Sequence, residues 1–313
     1  MSIRSEKRLS DLNLKQYFNH VILWNCPFRT LRALQLVEPD TRKRHDYSES
    51  HVVTAKYAPR NDIGAFTVPE DAELETKVNV VLYDSNTSTT KDKGSTALSC
   101  AKLLWEMGSK NPVKVLKGGY ELFSALYPFL RTQKIIYMPR ELDVILTYPL
   151  EVLPSFLYVG TYEQSQKKEI TKHLKLKAHV NVSMETDKVF SVDSTKLGVN
   201  DKKVSQLLNI PVEDSNDADL YSYFQDAANF IDDHKTDDGQ GVLIYSTLGI
   251  SRCITIAVAY IMWHKKISLK DAYKHLLKCK ENMQPTRGFI VQLAKWEDKL
   301  FGKAITDISE PNY

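Results

Sequence analysis

The chain has 313 residues, 42% of them apolar and 26% charged, and a net charge of +3. That length, about twice ~150 residues, points to two domains of ordinary globular composition. So slight an excess of positive charge speaks against a nucleic-acid partner or a membrane surface. The four cysteines, Cys26, Cys100, Cys253 and Cys279, form no Cys-x-x-Cys pair and no metal-ligand spacing. That pattern suits a reducing compartment, and no metal and no cofactor is expected. The longest apolar stretch, Cys253 to Trp263, is eleven residues. A bilayer span needs ~20, so no membrane span is expected and a core helix is.

At the start of the chain, Arg4, Lys7 and Arg8 are offset by Glu6 and Asp11. Transit peptides are poor in acidic residues, so a mitochondrial signal is weak, no secretory signal is visible, and a cytoplasmic location is expected. Asp40-Thr41-Arg42, Tyr47, Ser50-His51-Val52 and Ala55 follow, and Arg42-Lys43-Arg44 with His45 is the compact basic cluster. A solvated face is the commoner meaning of such a run. Val78 to Tyr83 has the pattern of a buried strand and ends at Asp84. Polar Asn86 to Ser99, rich in Ser, Thr and Lys, reads as an exposed loop. Val113 to Leu116 is another short strand, and Lys117-Gly118-Gly119-Tyr120 is a glycine turn suited to a tight exit into a helix. Arg131 to Pro149, with Pro139 and Pro149, links the two halves.

The second half carries the more informative pattern. Ile210-Pro211-Val212-Glu213-Asp214 precedes a helical stretch from Leu220 to Ile231. Val242 to Ile244 suit a buried strand, and Tyr245, Ser246, Thr247, Leu248, Gly249, Ile250, Ser251 and Arg252 follow. A glycine-containing loop between a strand and a helix can hold an oxyanion. Glycine lets the backbone approach, successive N–H groups form a concave nest, and the helix start adds partial positive charge. Arg252 offers a bidentate fork to a phosphoryl group. The bland alternative is equally weighted: Arg252 pairs with an internal carboxylate and the loop binds nothing.

Several of these segments resemble known families. The run from Tyr245 to Arg252 resembles the His-Cys-x5-Arg phosphate loop of protein tyrosine phosphatases, with Tyr245 for the histidine and Ser246 for the cysteine. Ala259-Tyr260-Ile261-Met262, then Pro285-Thr286-Arg287-Gly288-Phe289, Gln292-Leu293 and Trp296-Glu297 resemble dual-specificity phosphatases, with Thr286 in place of an asparagine. By that resemblance Asp214 matches the general acid, with Asp217 and Asp219 close by. Asp40-Thr41-Arg42 through Ala55 resembles the opening of rhodanese domains. Asp84 then stands where a rhodanese carries its sulfur-bearing cysteine, and a carboxylate cannot form a persulfide.

The fold expected is α/β: a rhodanese-like domain (12–135), with a parallel sheet flanked by helices, then a linker (136–148). A dual-specificity phosphatase-like domain of the protein-tyrosine-phosphatase type (149–302) and a C-terminal tail (303–313) complete it. This layout resembles MAP kinase phosphatases. Tyr245-Ser246, together with 116–121 and 130–136, resembles their pseudophosphatase branch from about residue 47 onward.

Chemistry favours an inactive member. A free thiol ionises near ~8.5 and falls to roughly 3.5–7.5 at a helix N-terminus beside a cation, whereas an alcohol starts several units higher. Serine nucleophiles need a positioned base, and Tyr245 is a phenol. Losing the nucleophile costs ~10⁴–10⁶ in rate. Cys253, just after Arg252 at a helix start where thiol pKa falls, is expected to be a packed helix residue outside the loop. The catalytic set is therefore expected to be empty, with Tyr245, Ser246, Asp214 and Asp84 as degenerate positions. The alternatives are a weakly active phosphatase of unusual mechanism and a reader of phosphoproteins. By resemblance the expected role is signalling regulation through protein partners: a stress-granule Ras-GAP SH3-domain-binding protein and a mitochondrial dual-specificity phosphatase linked to apoptosis. MAP kinase phosphatases dock kinases through basic clusters in the rhodanese domain, but no such docking is assigned to Arg42-Lys43-Arg44.

Overall fold

A computed structural model describes residues 39–68, 74, 80–136, 139–141, 145–185, 206–235 and 240–309, with the backbone of 21–24. Cys26, Val78, the charged residues of the first segment and the last four residues of the expected tail lie outside these. Two compact units emerge, one closing at Ile145 and the other beginning at Leu146.

In the first unit, strand β1 (Val21–Trp24) pairs in parallel with a later strand at 113–116. Short β2 (Pro39–Asp40), helix α1 (Arg44–Glu49), β3 (His51–Val52) and β4 (Lys56–Tyr57) follow. Then come β5 (Val81–Leu82), α2 (Thr96–Glu106), β6 (Val113–Leu116), α3 (Gly119–Leu126) and β7 (Arg131–Thr132). The order β1-β6-β5 is all parallel, β2 pairs with β4, and β3 pairs antiparallel with β7. Val80, Leu82, Val113 and Val115 bury against Ala97, Leu98 and Ala101 on one face of α2, which makes this unit's core. Arg131 and Thr132, which lie within the expected first domain (12–135), belong to the first unit through β7.

Two further expectations for this unit are corrected. The polar stretch from Asn86 to Ser99 is not one exposed loop: Ser95 caps α2 by accepting from Leu98 N, and Thr87 and Ser95 are buried. Arg42 does not join a basic surface. It is buried, its Nη2 lies 2.6 Å from Asp40 Oδ2, and its guanidinium stacks 3.8 Å from the centre of the Tyr120 ring. Lys43, Arg44 and His45 remain exposed.

The second unit opens with β8 (Leu150–Leu153) and β9 (Leu157–Thr161), α4 (Tyr162–Ser165), α5 (Lys168–His173), β10 (Leu176–Asn181) and β11 (Gln206–Asn209). It continues with α6 (Phe224–Asp233), β12 (Gly241–Ser246), α7 (Arg252–Lys265), α8 (Leu269–Cys279) and α9 (Arg287–Phe301). The sheet order is β11-β10-β12-β9-β8, parallel except for the β8–β9 edge pair. Every residue from Arg252 to Met262 is buried, so α7 is apolar nearly all round and forms the axis of the core. Phe224, Ile231, Phe289, Leu293 and Trp296 from α6 and α9 close around it. Before α6 the chain makes a short 3-10 turn at Tyr221–Tyr223, so the helical stretch read from Leu220 starts late. Gln292 Oε1 accepts from Leu220 N at 2.8 Å and Tyr221 N at 2.7 Å, capping that turn from α9.

The residues set apart as a tail fold back. Glu297, fully buried on α9, accepts from Ile305 N at 2.9 Å, Thr306 N at 2.8 Å and Thr306 Oγ1 at 2.8 Å. The same carboxylate takes Leu269 N at 2.7 Å, capping α8.

Candidate functional site

Strand β12 is buried along its whole length between parallel β10 and β9, so it delivers its last residues to the carboxyl edge of the sheet. In parallel sheets ligands bind at that edge. The loop from Thr247 to Ser251 turns there and runs into α7. Gly249 has φ +70°, and a Cβ on it would sit 2.8 Å from the carbonyl oxygen of Gly160, so both the conformation and the space require glycine. Gln284 N donates to Ile250 O at 2.8 Å and fixes the loop from the far side. Thr255 N and Thr255 Oγ1 both donate to Ser251 O, at 2.9 and 3.1 Å, and start the helix. Among the described residues no acceptor takes a hydrogen bond from the backbone N–H of Leu248, Gly249, Ile250 or Ser251. Successive amides without an internal acceptor are the kind of donor an anion nest uses.

The strand β12 ends on a buried alcohol. Ser246 is 2% exposed and donates to Cys253 Sγ at 3.2 Å. Burial pushes the Cys253 thiol up to about 11, against the smaller opposing effects of Ser246 and Lys280. The helix start that favours a thiolate there is outweighed. Tyr245 is fully buried, its ring centre 6.4 Å from Tyr162 and 6.2 Å from His179, so it lies inside the fold rather than over the loop. Burial pushes His179 down to about 4, which keeps its imidazole neutral at pH 7. Ser246 Oγ has no carboxylate or imidazole as hydrogen-bond partner among the described residues.

Arg252 is 7% exposed and is held on three sides. Nη1 donates to Val212 O at 3.0 Å, Nη2 donates to Thr247 Oγ1 at 3.0 Å, and Nε lies 3.5 Å from Asp214 Oδ2. Nε itself is buried without a hydrogen-bond partner among the described residues. A guanidinium carries five N–H donors, so part of the fork is still unspent. The sequence allowed either phosphate binding or an internal ion pair for Arg252; the structure has the ion pair, made through Nε to Asp214.

Asp214 is the carboxylate that reaches the loop. It accepts from Ser251 Oγ at 2.6 Å and faces Arg252. Asp219 instead caps the turn ahead of α6, accepting from Ser222 N at 3.2 Å and from the Ser222 hydroxyl. Those Ser222 bonds hold its carboxyl below the usual range. Asp217 is exposed. The departure at Thr286 is visible in its bonding: Thr286 N donates to Ser251 Oγ at 3.4 Å, while its buried hydroxyl has no partner among the described residues.

Glu185 is the site residue that no sequence pattern marked. The turn after β10 is fixed by Asn181 Nδ2 donating to Glu185 O at 2.9 Å and Ser183 Oγ donating to Asn181 Oδ1 at 2.7 Å. This places the Glu185 carboxylate on Thr247, whose hydroxyl forks to its two oxygens at 3.0 and 2.9 Å. Burial opposes ionisation of Glu185, but hydrogen bonds from Ser183 and Thr247 and the charge of Arg252 outweigh it and hold the carboxyl low.

In the first unit, Asp84 is buried and accepts from Thr87 N at 2.9 Å, Thr87 Oγ1 at 2.6 Å, Ser95 Oγ at 2.7 Å and Ala97 N at 3.3 Å. Burial raises its pKa, and these four bonds lower it further, leaving it below the usual carboxylate range. Gly119, φ +56°, lets the start of α3 close on this loop: a Cβ there would lie 2.5 Å from Asp84 O. Tyr120 N donates to Asp84 O at 2.8 Å. The chain's own carboxylate thus takes up the backbone N–H groups of Thr87 and Ala97 and the hydroxyls of Thr87 and Ser95.

Comparison with known proteins places both units. A family model described as dual specificity phosphatase, catalytic domain, matches residues 157–299, and one for the rhodanese-like domain matches 33–126. Human dual specificity protein phosphatase 1 is 30% identical over 307 residues, covering 86% of this chain and 80% of that protein. Human dual specificity protein phosphatase 4 is 28% identical over 243 residues, covering 71% of this chain and 58% of that protein. The crystal structure of human tyrosine phosphatase-like serine/threonine/tyrosine-interacting protein is 22% identical with a TM-score of 0.39, covering 49% of this chain and 97% of that one.

Proposed function

This chain belongs to the dual-specificity protein phosphatases, and we propose that it is a catalytically inactive member that acts by binding protein partners. The observation that carries this reading is the bonding of Ser246: a 2% exposed hydroxyl donating to a buried thiol, with no base to make it an alkoxide. Phosphoryl transfer through the loop needs an attacking thiolate, and neither Ser246 nor Cys253 supplies one. What the loop retains is a seat. Its amides meet no acceptor among the described residues, and the Arg252 guanidinium has N–H donors beyond the two spent on Val212 and Thr247. We assign these donors to an anion supplied from outside.

The test is turnover of a small aryl phosphate by the purified chain, measured beside Ser246→Ala and the double variant Tyr245→His, Ser246→Cys. The wild type is expected to show no turnover above background, and the double variant to gain it. Wild-type turnover that vanishes with Ser246→Ala would overturn the reading. As to partners, the narrower resemblance of the sequence is to a serine/threonine/tyrosine-interacting-like pseudophosphatase. It motivates signalling roles through a stress-granule Ras-GAP SH3-domain-binding protein and a mitochondrial dual-specificity phosphatase. Direct pull-down of each purified candidate by this chain checks that part separately.

A further inference from the structure

The seat for an anion is flanked by more negative than positive charge. Arg252 faces Asp214 on one side and, through Thr247, Glu185 on the other. A phosphoryl dianion arriving alone would therefore meet two carboxylates and one guanidinium, and it would compete with Glu185 for the hydroxyl of Thr247. Nothing in the loop itself removes that competition. A cation brought with the phosphoryl group would.

From this we propose that the loop takes a phosphoryl group presented on a basic peptide segment, with Glu185 as the specificity-determining residue. This rests on the reading that the loop binds anions. A lysine or arginine next to the phosphorylated residue pairs with Glu185, which is partly exposed and joined to the loop only through the Thr247 hydroxyl. That hydroxyl is then free to turn and donate to the phosphoryl oxygens beside the Nη2 group of Arg252, which it releases as it turns. Asp214 stays in place, fixed by Ser251. The clasp from Glu185 through Thr247 to Arg252 thus excludes free phosphate and admits a ligand carrying both signs of charge.

The test is calorimetric titration of the full chain with inorganic phosphate, a phosphotyrosine peptide flanked by alanines, and the same peptide flanked by lysines. Wild type is compared with Glu185→Gln. The lysine-flanked peptide is expected to bind wild type about three- to tenfold tighter than the alanine-flanked one, the scale of one or two solvent-facing ion pairs. Glu185→Gln should narrow that gap and tighten inorganic phosphate by roughly threefold. Equal binding of the two peptides to wild type, with no change in Glu185→Gln, would overturn the specificity while leaving the anion seat standing. If neither protein binds any of the three ligands while thermal unfolding shows both folded, the anion-seat reading itself falls.

Discussion

At the scale of one residue, a buried imidazole is expected to make the second unit sensitive to acid. His179 lies in the middle of β10, fully buried beside Tyr245, and burial pushes its pKa down to about 4 from an unfolded value near ~6.5. The unfolded chain therefore takes up a proton that the folded chain refuses. Full stability is present above pH ~6.5 and is lost as pH falls from there toward about 4, by on the order of 3 kcal/mol. Denaturant unfolding across this range should show the decline in wild type and a flatter profile in His179→Phe. An unchanged acid limb in the variant would assign it to another group. At the same scale the sequence told only half of each site. Ser246, Gly249 and Arg252 are adjacent in the chain, so their grouping on one loop was legible. Glu185, the Val212 carbonyl and the buried stacking of Arg42 on Tyr120 depend on which distant segments pack together. No local pattern encodes that.

Among elements, α9 does more than cover the core. Its Glu297 holds Leu269 at the start of α8 and Ile305 and Thr306 beyond the helix end, so three stretches share one buried carboxylate. Removing that acceptor leaves several backbone N–H groups unpaired in the interior. Glu297→Ala is expected to cost roughly 3–5 kcal/mol in denaturant unfolding. Ending the chain after Gly302 should cost part of the same energy, and the two changes together should cost less than their sum, because they break the same bonds. Full additivity would mean that Glu297 and the returning segment act separately. The strands and long helices of this unit follow from apolar runs that a sequence displays openly, such as Val242–Ile244 and Cys253–Trp263. The return of 303–309 was missed because its contacts are hydrogen bonds to one acid, which leave no periodic trace. The stretch from Asn86 misled for the converse reason: Thr87 and Ser95 are polar because they serve a buried acid, not because they face water.

For the whole molecule, each unit closes its own core, one on α2 and the parallel strands around it, the other on α7. A piece running from Leu146 to Tyr313 is expected to fold cooperatively on its own and to bind the lysine-flanked phosphopeptide with the affinity of the full chain. Circular dichroism melting and calorimetry check this, and a piece that fails to melt cooperatively would show that the second unit depends on the first. The two-domain plan was legible from length and from motifs that cluster in each half. Where one half stops was less so: no periodic pattern marks 136–148, and the first unit closes at Ile145.

The bonding of Asp84 sets the two halves on different historical footings. In the phosphatase-like half, Ser246 is a small hydroxyl that donates to a thiol, and the loop after it has amides with no acceptor among the described residues. Two substitutions are all that the proposed reawakening asks of it. In the rhodanese-like half the acid has become the keystone of its loop, receiving four hydrogen bonds from Thr87, Ser95 and Ala97. Exchanging it for cysteine would strand those donors and loosen the loop that a sulfur carrier requires. On the proposed reading, restoring sulfur chemistry in that half would work against a ratchet: Asp84→Cys is expected to lower stability, because the present residue is part of the architecture.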